Sequence, residues 1–165
     1  MNTANRVIVT TASGAKTRAL GRRLARLLRA GDVVLLQGPL GAGKTTLAQG
    51  IGAGLHVEEP VRSPTFVLLT RHDGGMLPLY HADLYRLDSI EEVEELALAE
   101  QAADGVLLVE WPERGLQALP AEHVLVVLEP VREQPSSRRI TVVAAGERYR
   151  RVLDGLLAAG LADRV

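Results

Sequence analysis

The sequence predicts a three-layer α/β fold with a mostly parallel central sheet and an antiparallel hairpin inserted into it. Three observations carry that expectation. Val33-Val34-Leu35-Leu36 and Val106-Leu107-Leu108-Val109 are short, unbroken apolar runs of the kind that form strands covered on both faces. Segments with helical stripes separate the strand-like runs, and this alternation is the pattern of helices packed on a parallel sheet. Asp73-Gly74-Gly75, between two extended stretches, is a hairpin turn that interrupts the rhythm. The chain has 165 residues, with no internal repeat and no low-complexity linker, so a single domain over residues 1–165 accounts for it.

Taken in order, Arg6–Thr10 reads as a first strand. Ser13 to Arg29 reads as an amphipathic helix, with Leu20, Leu24, Leu27 and Leu28 on one stripe. Arg18, Arg22, Arg26 and Arg29 fall on another side and read as a solvated face. Gly31-Asp32 ends this helix and leads into the strand at Val33. A second helix starts near Thr45, with Leu47 and Ile51 four residues apart on one side. The hairpin runs from Val67–Thr70 and returns through Leu77–Asp83, where Pro78 argues against a fully paired central strand. Ser89-Ile90-Glu91-Glu92 is a capping box opening an acidic helix, with Ile90, Val93 and Ala97 on its buried side. Gly105–Glu110 and Val124–Leu128 are further strands. Residues 129–137, with Pro130, Pro135, Ser136 and Ser137, read as a polar loop, and Arg139–Val143 as an edge strand. The last helix, Glu147–Ala159, carries the stripe Tyr149, Val152, Leu153, Leu156 and Leu157, and Gly160 caps it.

Composition narrows the function classes. Hydrophobic residues make up 47% and charged residues 24%, as in a soluble globular domain. A net charge of −1 offers no global attraction to nucleic acid or to an anionic membrane, so involvement of RNA is expected to be indirect. The absence of cysteine excludes disulfides, thiolate catalysis and Cys-ligated zinc. No apolar run approaches the length of a membrane span, and no basic segment followed by an apolar stretch opens the chain, so the expected location is cytoplasmic.

Between the strand at Val33 and the helix at Thr45 lies Gly38-Pro39-Leu40-Gly41-Ala42-Gly43-Lys44-Thr45-Thr46, which fits G-x-x-x-x-G-K-[ST]. In this pattern glycines let backbone N–H groups turn inward around phosphate oxygens. The lysine neutralises β/γ charge, and the following hydroxyl reaches Mg²⁺. The helix N-terminus below adds unpaired N–H groups and the positive end of a dipole. Gly38, Leu40, Gly41, Ala42, Gly43, Lys44, Thr45 and Thr46 are thus the candidate nucleotide contacts.

Three more segments can carry chemistry. Val106–Val109 ends in Glu110, and an NTPase needs a carboxylate at the end of a neighbouring parallel strand to hold Mg²⁺ through water or to orient the attacking water. In His81-Ala82-Asp83, period-two alternation puts His81 and Asp83 on one face, so that one faces the phosphates while the other supports it; His81 by itself reads as structural. Ser63-Pro64-Thr65-Phe66 occupies the place of a loop that responds to the γ-phosphate, through the hydroxyls of Ser63 and Thr65. Phe66, Tyr80, Tyr85 and Trp111 cluster in or beside these segments, marking either a packed site or a docking surface.

Together, Gly38–Thr46, Ser63–Phe66, His81-Ala-Asp-Leu-Tyr-Arg-Leu87 and Glu110-Trp-Pro112 resemble, in order and spacing, the TsaE (YjeE) family. The resemblance runs from the helix with Thr17 and Gly21 to the strand near Val126. It implies a Mg²⁺-dependent P-loop ATPase that binds the TsaB–TsaD pair. In that family, ATP hydrolysis drives turnover of the complex that builds threonylcarbamoyladenosine at position 37 of tRNAs, and tRNA is met only through the complex. Carried over by position, Lys44 and Thr45 take the phosphates and Mg²⁺, Glu110 the metal or water, and Asp83 a second polar contact. Trp111, with Tyr85 and Arg86 nearby, is the implied partner contact. Ala82 and Pro39 depart from the family's common residues. Thr17 and Arg138 are candidate base contacts. A P-loop kinase of a nucleoside or small metabolite, and a binding module gated by nucleotide occupancy, are the other readings of the same residues.

Overall fold

A computed structural model describes residues 5–64 and 68–165. Thr65, Phe66 and the predicted strand start at Val67 lie outside the described residues. The strands are β1 (Arg6–Thr11), β2 (Val33–Gln37), β3 (Leu69–His72), β4 (Leu79–Asp83), β5 (Val106–Glu110), β6 (His123–Val131), β7 (Gln134–Ala145) and β8 (Asp163–Arg164). The helices are α1 (Gly14–Leu27), α2 (Lys44–Gly54), α3 (Ile90–Glu95), α4 (Leu98–Gln101) and α5 (Arg150–Ala158). All eight strands form a single α/β sheet in the order β3-β4-β5-β2-β6-β7-β1-β8.

The parallel part is the centre: β4 pairs with β5, β5 with β2, and β2 with β6, all parallel. Antiparallel pairing extends it on both flanks, through β3 on one side and through β7, β1 and β8 on the other. Val34, Leu35 and Leu36 are buried because helices cover both faces of β2. Each such side chain contributes roughly 1.5–3 kcal/mol by leaving water.

Four local expectations need correction. β4 is paired along its length on both sides, by β3 and β5. Pro78 precedes the strand and only lends its carbonyl to the Val106 N–H, so no pairing is lost. Residues 129–137 are not a loop but the tip of a long hairpin in which β6 turns into β7. Pro130 sits at the bulge where the register shifts, a place that tolerates a missing donor. β7 is consequently interior, between β6 and β1, rather than an edge. Ala97 is exposed with φ +45°, and it breaks the acidic helix into α3 and α4. The predicted cap does form at its start, Ser89 Oγ accepting from Glu92 N–H.

Two contacts fix the elements that flank the glycine-rich turn. α1 packs on α2 with no room for side chains at the crossing. A Cβ added at Gly50 would lie 2.2 Å from the Arg18 carbonyl oxygen, and one at Gly21 would lie 2.5 Å from that of Leu47. At the opposite end of β2, Asp32 is fully buried and accepts from Arg29 N–H and from the guanidinium groups of Arg148 and Arg151. Beside it the Tyr149 hydroxyl accepts from Val33 N–H at 3.0 Å. Burial pushes that phenol's pKa up.

Candidate nucleotide site

The site lies where β4, β5 and β2 end. Asp83 and Glu110 are register partners on β4 and β5, and Glu110 is level with Leu36 on β2. One residue past Leu36 the chain leaves the sheet at Gln37 and enters the turn.

The turn has this shape because of its glycines. A Cβ at Gly38 would meet the Leu128 carbonyl oxygen at 2.6 Å and the Ala42 Cβ at 3.1 Å. Gly41 and Gly43 hold φ of +77° and +102°, which other residues rarely adopt. α2 starts at Lys44 with Gly43 as its cap and no side chain bonded to its first amides. Those N–H groups are the donors an anion needs.

Leu40, Gly41, Gly43, Lys44, Thr45 and Thr46 line one wall of a cavity of about 350 Å³. Ser63, Asp83, Tyr85, Glu110, Trp111 and Arg138 line the rest. Gly38 and Ala42 stand behind the turn, Ala42 buried in the core. Arg86 is exposed and does not line the cavity. Thr17 is buried beneath the turn, its hydroxyl 2.8 Å from that of Thr11.

Lys44 is itself buried. Its Nζ donates to the Gly38 carbonyl and lies 3.5 Å from the centroid of the Trp111 ring. Desolvation lowers its pKa, and the charges of Glu110, Glu113 and Asp83 oppose that shift. Tyr85 also packs against Trp111, with ring centroids 4.9 Å apart and the rings tilted by 52°. Trp111 has φ +57°, a backbone conformation uncommon outside glycine, so the turn after β5 is formed at a cost in backbone strain.

Both carboxylates are buried and supported. Glu110 Oε2 lies 2.8 Å from Nε2 of His81, which is wholly buried. Asp83 Oδ2 accepts from Ser63 Oγ at 3.1 Å and Oδ1 accepts from Tyr85 N–H at 2.9 Å. The loop at Ser63 is therefore tied directly to one of the two carboxylates.

The sequence reading missed the role Arg138 plays in the turn. From β7 its Nε and Nη2 donate to the carbonyls of Ala42 and Gly41, at 2.8 and 3.1 Å. Only the pairing of β6 with β7 brings it there, and no local pattern signals that pairing.

A parallel strand, a glycine-rich turn and a helix that opens on the lysine define the P-loop class of α/β proteins. The comparisons narrow this further. The sequence profile of the family described as threonylcarbamoyl adenosine biosynthesis protein TsaE matches residues 11–140. The chain is 44% identical over 137 residues to the tRNA threonylcarbamoyladenosine biosynthesis protein TsaE of Streptomyces coelicolor, covering 80% of this chain and 93% of that protein. It is 39% identical over 147 residues to the TsaE protein of Bacillus subtilis, covering 88% and 90%. The crystal structure of Bacillus subtilis YdiB superposes with a TM-score of 0.80 at 31% identity, over 97% of this chain and 99% of that one. This chain belongs to the TsaE family, a P-loop nucleotide-binding family with a role in tRNA threonylcarbamoyladenosine biosynthesis.

Proposed function

We propose that the protein is a Mg²⁺-dependent ATP hydrolase that works in the cytoplasm with the TsaB–TsaD pair and drives turnover of the threonylcarbamoyladenosine complex. One observation carries the hydrolytic part: Asp83 and Glu110, level with one another on adjacent strands, line the same cavity as Lys44 and Thr45.

The chain's groups fit each task. The amides of the turn and of the first turn of α2 bind the polyphosphate, and Lys44 neutralises its β/γ charge. Thr45 and Glu110 would hold Mg²⁺, which supplies charge neutralisation across the phosphates when bound. Among the described residues no cluster of three His, Cys, Asp or Glu side chains encloses a metal. A hydroxyl and a carboxylate leave positions for water and phosphate oxygens, the coordination Mg²⁺ favours. Asp83 or Glu110 aligns water for attack, and His81 keeps Glu110 in one orientation. Tyr85 and Trp111, which line the cavity, and the exposed Arg86 next to Tyr85 in the chain form the expected contact with TsaB and TsaD. RNA is reached only through that complex.

The test is phosphate release from ATP, with and without Mg²⁺ and without any phosphoryl acceptor. Glu110→Gln keeps ATP binding and lowers turnover by about 10²-fold or more, the range for loss of a positioned base. Addition of TsaB and TsaD raises the rate and gives a complex in the presence of ATP. Phosphate transfer to a nucleoside or metabolite in place of release would favour the kinase. Normal cycling of the modification complex with Glu110→Gln would favour a module gated by occupancy alone.

A further inference from the structure

β8 covers only part of the outer edge of β1, pairing with Val7 and Ile8. From Val9 to Thr11 no described strand lies beyond β1. The Asn5 carbonyl accepts from Ala144 N–H of β7. Amides alternate in direction along an antiparallel strand, so the N–H and C=O of Thr10 face away from β7, into the open edge.

Beyond that edge lies a groove of about 540 Å³ between β1 and the flank of α1. Val9, Leu20 and Leu161 contribute apolar surface to it, and Lys16, Arg22, Arg23 and Arg26 form a cationic wall. No acidic residue lines it, and among the described residues none of these four cations makes a salt bridge. It shares no lining residue with the nucleotide cavity.

We propose that this groove binds an extended, acidic segment of a partner protein, which adds as a strand to the free edge of β1 while its carboxylates face the α1 arginines. Main-chain hydrogen bonds at an open sheet edge supply affinity, and side-chain pockets and charges supply selectivity. Three features favour a peptide over RNA. The outward amide and carbonyl match another backbone, no aromatic residue lines the groove to stack a base, and the chain as a whole carries a net charge of −1. The cations also oppose pairing of two copies of this chain edge to edge, since that would bring two positive walls together. Arg22 and Arg26, expected from the sequence to lie on a solvated face, then belong to a selective surface as well.

Fluorescence anisotropy tests this with a labelled ten-residue peptide of alternating Glu and Val. The native chain binds it saturably. Arg22→Glu/Arg23→Glu/Arg26→Glu, at exposed helix positions, weakens binding at least tenfold while leaving ATP turnover unchanged. A peptide of alternating Glu and Pro has equal charge but lacks half of the main-chain donors. It binds at least tenfold more weakly, and this arm changes nothing in the protein. Equal binding of the two peptides, or binding indifferent to the charge reversal, overturns strand addition. Tighter binding of poly-uridine than of the Glu-Val peptide assigns the groove to RNA and also overturns it, as does the absence of saturable peptide binding.

Discussion

The ammonium of Lys44 rests 3.5 Å from the centroid of the Trp111 ring while it donates to the Gly38 carbonyl. A phosphate that takes Lys44 must draw it from that position. The ring contact is worth about 0.5–2 kcal/mol, so the exchange is cheap beside a charge-assisted bond to phosphate. Trp111 is the single tryptophan of the chain, and its emission should report the exchange. Saturating ATP is expected to change the intensity, and Lys44→Ala to shift emission before any nucleotide is added. Emission indifferent to both would mean that the lysine does not leave the ring.

The lowered pKa of Lys44 has a signed consequence for stability. Desolvation is the main cause, so the folded state binds this proton less well than the unfolded state, whose lysine titrates near 10.5. Below the lowered pKa both states are protonated and the penalty is fully present; it vanishes as pH rises towards 10.5. Denaturation of the native chain and of Lys44→Met, compared at pH 7 and pH 10, should show the difference moving in favour of the native chain at the higher pH. A difference independent of pH would show that the lysine is not desolvated.

Close approach of α1 and α2 predicts a core defect with a functional echo. Gly50→Ala places a methyl group against the Arg18 carbonyl and forces the helices apart, at about 1–3 kcal/mol. Urea denaturation should show the loss, and weaker nucleotide binding should accompany it because α2 begins at Lys44. Unchanged stability would mean that the crossing yields without cost.

Arg138 fixes two carbonyls of the phosphate turn from a distant strand. Arg138→Ala should leave the fold intact, because the side chain is only half-buried, and should weaken ATP binding by about tenfold, the scale of one lost charge-assisted bond. Isothermal titration gives the number. An unchanged affinity would make the clamp dispensable.

These residues also show what a sequence discloses. Gly38 to Thr46 is legible because one unbroken run encodes strand, turn and helix start, and Glu110 because it closes an apolar run. The β6–β7 hairpin was hidden because Pro130, Pro135, Ser136 and Ser137 carry turn chemistry, while the pairing that continues the hairpin through this stretch is cross-strand, Pro130 with Arg138 and Val131 with Gln134. Arg138 followed the same blind spot. The support His81 gives Glu110 was half visible: alternation placed His81 and Asp83 on one face, but only the pairing of β4 with β5 brings the imidazole to the carboxylate. Ala97 had helical spacing, yet the backbone turns there and exposes it.

Arg148, Tyr149 and Arg151 lie beyond residue 140, where the match to the family profile stops. They nonetheless neutralise and enclose Asp32, immediately before the strand that delivers the phosphate turn. Removing both guanidinium groups while the tail still covers the site, as in Arg148→Met/Arg151→Met, would strand a negative charge in the interior, a defect of about 3–5 kcal/mol. In this protein the region that the family profile matches is braced from below by a tail that the profile does not cover.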